Sequence, residues 1–544
     1  METATDKIIS WQEAFSNRQA KEKLTTALAG YMLKTRWYAA KTQKAKSFKI
    51  DLELPLHLED QATAYAITIE VNFEAGFTEY YFMTIAFCEE EVEKPGVISR
   101  AHYGKKEGYI IDALYWEEFR KFLFEQLKNQ QKFTDEGHTL YFEKGNILRR
   151  SENYASSEVM GFDQSNTSIQ YNNKYFLKIY RRLFQDTNPD YELTKYLSDD
   201  AGYKNSPRYA GSLSWHKSDF NVLSLGLMQE KIENKGEVWS EVINEIKQYF
   251  KRIYEYKTDV NKIEHITLFE QRKISALDDE IVDLIGFQSL KNVQKIAKRV
   301  AEMHVALFKN RFDTAFNPVD FNPDYSVWLK NRIMYQFNAR YILVEQNLDK
   351  LDGLAKQYAE RFLASRDLIT NQFLGFEEHL LNSQRIRIHG DLHLGQILSG
   401  KDDDFYIIDF EGEPESTIRD RKVKQTPLKD VAGLLRSYHY AVYAVIFDDQ
   451  FKIKLDEAAI FQAGEKYYQC VLSVFLKTYL DTAMSSNMDV GYFPEIVYLL
   501  KYHLLEKAVY EIGYELKSRP DWAVIPLSGI NQILDSNLNK NPLT

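Results

Sequence analysis

Apolar and polar positions alternate through the first quarter of the chain. Phe48-Lys49-Ile50-Asp51-Leu52-Glu53-Leu54 has the period of two of a half-buried strand. Residues 65–73 and 79–87 repeat the pattern on either side of Glu74-Ala75-Gly76. The period then lengthens: Trp116, Phe119, Phe122, Leu123 and Leu127 recur at helical spacing and predict an amphipathic helix. A curved antiparallel sheet carrying helices is expected here.

From residue 132 the pattern predicts a second, smaller set of strands. Residues 158–161, 167–171 and 175–180 read as consecutive strands, the last two joined by the turn pair Asn172-Asn173. Asn188-Pro189 reads as a cap followed by a first-turn proline, opening a short helix. Residues 222–229 form one more strand. Beyond residue 236 the texture is helical. Ile296, Val300, Met303 and Leu307 line one helix face, and residues 325–383, free of proline, predict two long antiparallel helices. The expected domains are therefore 1–131, 132–235 and 236–544.

Composition narrows the function. The chain has 544 residues and a formal net charge of −10, which disfavours nucleic acid as a partner. No apolar run is long enough to cross a bilayer, so no membrane is expected. Two cysteines, Cys88 and Cys470, cannot build a disulfide framework. The polar start, Met1 to Gln19, has no signal-peptide core, and a cytoplasmic location is expected.

The helical texture breaks at residues 385–413. An alternating strand runs into His389-Gly390-Asp391-Leu392-His393-Leu394-Gly395-Gln396, and a second strand, 405–408, delivers Asp409-Phe410-Glu411-Gly412. Phosphoryl transfer explains this spacing. A carboxylate, Asp391, orients the attacking hydroxyl and takes its proton; an amide five residues later, Gln396, and a carboxylate on the next hairpin, Asp409, hold Mg²⁺. Upstream, Lys178 on a strand and Glu192 on the following helix suit the lysine–carboxylate pair that grips the ATP phosphates. Gln164, Ser165, Asn166, Thr167 and Ser168 stand where kinases place a glycine-rich loop. The motif His389-x-Asp391-x-His393 also offers three ligands to a divalent metal, as in metallohydrolases. That reading leaves Lys178 and the Asp409 hairpin without a role. His389 is better read as steadying the loop, and His304, on an apolar helix face, as a packed histidine.

These residues resemble the bacterial maltokinase family, capped sugar kinases related to aminoglycoside phosphotransferases. The resemblance rests on His389–Leu398, Ile407–Pro414, Arg36-Trp37-Tyr38-Ala39-Ala40-Lys41, Gln164–Ser168 and Leu177–Leu183. The segments Leu428–Ser437, Glu506–Glu511 and Arg519–Trp522 add to it. It implies an α+β, protein-kinase-like bilobal fold with an N-terminal antiparallel-sheet cap domain and a mostly helical C-lobe. It implies maltose and ATP giving maltose 1-phosphate, α-glucan (glycogen) synthesis downstream, and a coupling to trehalose synthase. It also implies an adenine hinge at Met228, Gln229, Glu230 and Lys231, and sugar contacts from His393, Glu411, Arg436, Tyr510 and Arg519. A capped kinase for another sugar, such as glucosamine, and a non-catalytic nucleotide-binding regulator are the alternatives. The chain departs from the family pattern in its long helical stretch before the catalytic loop and in Tyr38-Ala39-Ala40.

Overall fold

A computed structural model of the chain describes residues 10–535, except 39, 42, 59–61, 91, 93, 136, 162–164, 219–220, 310–312, 449, 452 and 454. The chain divides into two compact units. One is Met1–Asp200 with Pro207–Lys231, and the other is Ala201–Ser206 with Ile232–Thr544.

The first unit is built on two antiparallel sheets. In the first sheet, β1 (Ala45–His57), β2 (Thr63–Phe73), β3 (Thr78–Cys88), β4 (Val97–Tyr103) and β5 (Lys106–Asp112) are ordered β1-β2-β3-β5-β4. The strand β2 is buried almost throughout because both sheet faces are covered. Tyr65, Ile67, Ile69 and Val71 face the helix Arg18–Met32 through Leu24, Leu28 and Met32; Trp37 and Tyr38 lie in the same cluster. Ala64 and Ala66 face the helix Glu117–Asn129, whose Phe119, Leu123 and Leu127 are its apolar stripe. Burying each such side chain contributes roughly 2 kcal/mol.

The second sheet contains β6 (Lys132–Asp135), β7 (His138–Lys144), β8 (Ser157–Val159), β9 (Asn166–Tyr171) and β10 (Tyr175–Tyr180). With β12 (Tyr209–Ser218) and β13 (Asn221–Glu230) its order is β6-β7-β12-β13-β10-β9-β8. A two-residue strand, β11 (Arg182–Leu183), returns to pair with β3. Leu140, Ile169, Leu177 and Trp215 of this sheet join the cluster of Phe119 and Leu123, so the core draws on both sides of residue 131. The β9–β10 turn is the predicted one: Asn172 and Asn173 have φ of 51° and 54°, as a two-residue hairpin requires. The strand β12 was not predicted. Its sequence, Tyr-Ala-Gly-Ser-Leu-Ser-Trp-His-Lys-Ser, gives only a weak alternation because small residues fill its buried first half.

The second unit is mainly helical. Its sheets are short: β15 (Val319–Asp320) pairs with β16 (Gln384–Arg385), and β14 (Asn234–Glu237), β17 (Ile397–Gly400) and β18 (Phe405–Ile407) form a three-stranded sheet. The predicted pair of long helices over 325–383 is instead one long helix and two short ones, Pro323–Asn347, Gly353–Ala364 and Arg366–Leu374. Asn322 caps the first, accepting from the Tyr325 N–H at 2.9 Å. Gly353, at φ 48°, restarts the chain after a turn, and Ser365 leaves helical geometry at ψ 14°. None of the described helices is long and apolar enough to cross a membrane.

Candidate active site

In the second unit the loop between β16 and β17 carries Asp391. One helix, Leu428–Ile446, holds it at three points on a single face. Asp430 accepts the N–H groups of His389 and Gly390 at 2.8 and 2.9 Å, one on each carboxylate oxygen. A Cβ at Gly433 would lie 2.9 Å from the Leu392 carbonyl oxygen, so glycine lets the loop rest on the helix. Ser437 Oγ accepts the Leu394 N–H at 3.1 Å. Positions 430, 433 and 437 share a face by helical periodicity. Asp430 is itself fixed by His304, whose other nitrogen meets Tyr479 at 2.9 Å. Burial pushes the Asp430 carboxyl up, but the hydrogen bond from His304 and those from the backbone N–H groups more than offset it and hold it below its ordinary range.

Both histidines of the motif are engaged within the loop. His389 Nε2 donates to the Ile408 carbonyl oxygen at 2.9 Å, tying loop to hairpin, and its Nδ1 accepts the Asp391 N–H at 3.3 Å. His393 Nδ1 accepts the Gly395 N–H at 3.1 Å. This arrangement makes His389 a brace and argues against the three-ligand metal reading. Gly390 (φ 85°), Asp409 (φ 64°) and Gly412 (φ 73°) all sit in left-handed backbone. A Cβ at Gly390 would come 3.3 Å from Gly412 Cα, so these two turns approach closely. A non-glycine residue in that conformation, here Asp409, stores strain of a kind found at functional sites.

Asp391 Oδ1 accepts from Lys507 Nζ at 2.9 Å. Burial pushes the Asp391 carboxyl up, but the Lys507 charge, with His393 and His389, more than offsets it and leaves it below the ordinary value. Lys507 is the converse: burial opposes its charge, and Asp391 and Glu413 raise its pKa above the usual lysine range. Behind it runs a chain of ion pairs. Glu413 lies 3.8 Å from Lys507, Arg332 bridges Glu413 and Glu506 at 2.5 and 2.6 Å, and Lys429 reaches Glu506 at 3.1 Å. Lys507, Asp430 and Glu413 had no assigned role in the sequence reading. The segment 506–511 was noted there as a motif, but only the fold shows which of its side chains meets Asp391.

Gln396 Nε2 donates to Asp409 Oδ2 at 3.0 Å. The amide nitrogen is thereby committed, so the Gln396 carbonyl oxygen is the atom that could hold a metal. With Asp409 this is an all-oxygen donor set, which fits a hard cation such as Mg²⁺.

The residues expected to contact sugar divide into two groups. Tyr510 lies beside Lys507, whose Nζ is 4.9 Å from its ring centre. His393 and Glu411 are half-buried in the two turns next to Asp391 and Asp409. Arg436 is corrected. It is 2% exposed, pairs with Glu511 at 2.5 Å, meets His439 and fills the space left by Gly529. A guanidinium sealed in this way clamps helices together and presents no face to a ligand. Arg519 stacks over Trp522 at 4.3 Å and bonds Tyr440 and Glu515 at 2.9 and 3.1 Å.

In the first unit Lys178 projects from β10, between β9 and β13. Its ion pair is with Asp190 at 3.2 Å, where Glu192 had been expected. Positions two apart on a helix point about 200° apart, and it is Asp190, at 2% exposed, that faces the sheet. Tyr180 donates to the same Asp190 oxygen at 3.3 Å, and the predicted cap Asn188 accepts the Asp190 N–H at 2.9 Å. Asn166, Thr167 and Ser168 are buried at the start of β9, Ser165 is exposed, and Gln164 lies outside the described residues. In the expected hinge, Met228 is a core side chain paired on both flanks, with Leu177 and Gly211. It can therefore line the hinge only from behind. Gln229 is half-buried and continues the pairing with Phe176, Glu230 pairs with Arg208 at 2.5 Å, and the Lys231 N–H donates to Lys174 O at 2.7 Å.

Solved structures of glucosamine kinase share this α+β, kinase-like arrangement, sheets in the N-terminal part and helices in the C-terminal part. A glucosamine kinase in complex with glucosamine, ADP and inorganic phosphate matches 94% of this chain and 99% of its own, with TM-score 0.61 and 15% identity. Another crystal form of glucosamine kinase matches 90% of this chain and 94% of its own, with TM-score 0.60 and 16% identity. These matches establish the fold. In sequence, 159 residues are 25% identical to the glucosamine kinase of Streptacidiphilus jiangxiensis. They cover 29% of this chain, which spans about a third (34%) of that curated relative. No family model matches the chain.

Proposed function

We propose that the protein is an ATP-dependent sugar kinase. The observation that carries this reading is Asp391, kept ionised beside Lys507 on a braced loop, with the oxygen donors Gln396 and Asp409 next along the chain. A sugar hydroxyl attacks the γ-phosphorus, the bond to the β–γ bridging oxygen breaks, ADP leaves, and Asp391 takes the hydroxyl proton. Gln396 and Asp409 would hold Mg²⁺, which when bound neutralises charge on the phosphate oxygens. Lys178, positioned by Asp190, binds phosphate oxygens, and Ser165 to Ser168 supply hydroxyl and N–H donors to them. Residues 228–231 serve the adenine.

Glucosamine is the first acceptor. Glu411, Glu413 and Glu415 follow Asp409 closely in sequence; Glu413 is matched by Arg332 and Glu415 by Arg340, and Lys507 stands beside Tyr510. What favours this acceptor is the curated relative, which carries the activity in its name. Maltose is the second reading, with α-glucan synthesis and trehalose synthase as its context. The array of Tyr440, Trp522 and Arg519 offers ring faces to a second sugar unit.

Sugar-dependent ADP release across a panel decides between them, with the product ester located by NMR. Turnover of glucosamine supports the first reading, and an anomeric ester on maltose supports the second. ADP release that no sugar stimulates would overturn both.

A further inference from the structure

A cavity of about 520 Å³ opens within the first unit. Lys34, Arg36 and Lys94 stand around it, and Tyr31, Trp37 and Tyr115 give it aromatic walls. None of the described residues that line it is a carboxylate. The three cationic side chains are exposed, and their charged ends make no ion pair or hydrogen bond among the described residues. Behind the wall, Arg181 is fully buried. Its Cζ lies 4.9 Å from the Trp37 ring centre, its Nε donates to Thr167 Oγ1 at 2.8 Å, and it pairs with Asp112 at 2.5 Å. Asp112, which also accepts from Tyr31 at 3.4 Å, is thus already matched and does not neutralise the mouth.

Three uncompensated cations around a ring-lined hollow, in a chain of net charge −10, form a receptor for a compact polyanion with a flat body. The volume lies within the range of small-molecule sites and far exceeds what inorganic phosphate fills. We propose that this cavity binds a phosphorylated, ring-bearing small molecule, its phosphate among Lys34, Arg36 and Lys94 and its ring against Tyr31, Trp37 and Tyr115. Asn166 and Thr167 close the same cavity, so an occupant also touches the start of β9. The link from there to the ATP phosphates rests on the kinase reading, whereas the binding itself does not.

Titration calorimetry on the full chain with phenyl phosphate, which is neither sugar nor nucleotide, tests the proposal apart from any activity. One saturable site per chain is expected, about tenfold tighter than for inorganic phosphate, equivalent to about 1.4 kcal/mol. The combined variant K34S/R36S/K94S weakens it at least tenfold, and Tyr115→Leu removes the preference for the ring. Should the combined variant not fold, each single substitution at these exposed positions gives a smaller loss in the same direction. Absence of saturable binding at about 10 mM, some 2.7 kcal/mol weaker than a micromolar-to-sub-millimolar ligand of 0.1 mM, overturns the site. So does binding that survives loss of the three cations, or that vanishes only with Lys178→Met.

Discussion

Two lysine–aspartate pairs, one in each unit, join Lys178 to Asp190 at 3.2 Å and Lys507 to Asp391 at 2.9 Å. The chemistry is the same and the surroundings differ. Asp190 is 3% exposed as a side chain, held by the Tyr180 hydroxyl and by the capped start of its helix, while Lys178 keeps 16%. In the other pair the acid is the more open partner, 20% against 18%, and the lysine backs onto Glu413 and the Arg332–Glu506 chain. On the proposed kinase reading, the carboxylate of the first pair anchors a cation offered to phosphate. The cation of the second then anchors a carboxylate offered to a hydroxyl. An ion pair of this kind gains little net stability by itself; what it fixes is the position and charge of its exposed member.

Removing each exposed member should have the largest effects. Asp391→Asn keeps the shape and removes the proton acceptor, so kcat should fall by about 10³–10⁴ in a coupled ADP-release assay. Activity near the wild-type rate would reject Asp391 as base. Lys178→Met should cost about 10²–10³ in kcat, with a raised KM for ATP and an unchanged KM for sugar. A change confined to the sugar KM would reverse the two roles.

The anchor Lys507 has a pH signature. Its charge holds the Asp391 carboxyl below the ordinary range against the opposing effect of burial. In the wild type Asp391 should therefore stay ionised as pH falls, and the acid limb of kcat should lie below the ordinary aspartate value. Lys507→Met removes the largest of the effects opposing burial, so the carboxyl pKa should rise and the limb move to higher pH, with kcat near neutrality down about tenfold. Lys507→Arg retains the charge and should keep the limb in place. A loss of rate without movement of the limb would leave Lys507 a packing residue.

The two pairs also differ in how far they could be read from sequence. The spacing of Asp391, Gln396 and Asp409 is local, set by one loop and one hairpin, and the apolar run around Lys178 marks a strand. Lys507 lies 116 residues from Asp391 on another helix, and no local pattern joins them. The Asp430 brace is equally non-local. Arg436 shows the opposite limit: a motif arginine looks like a ligand in sequence, and only burial against Glu511 and Gly529 reveals a clamp. The helix after Lys178 was predicted through Asn188-Pro189, but its acidic first turn offered Asp190 and Glu192, and the choice depended on which side faces the sheet.

That choice gives the smallest and sharpest test. Asp190→Asn keeps the cap and the packing but removes the charge opposite Lys178, placing the ammonium beside an amide. The lysine is then held less firmly in place, and kcat should fall by about tenfold with a raised KM for ATP. Glu192→Gln, two residues further along the same helix, removes an equal charge from a position rotated about 200° away, and kcat should change less than about twofold. Measuring both with one ATP titration cancels any general effect of lost negative charge on phosphate binding. If the Glu192 variant suffers the larger loss, the lysine pairs with Glu192 during turnover, and the Lys178–Asp190 contact belongs to a resting arrangement of the first unit.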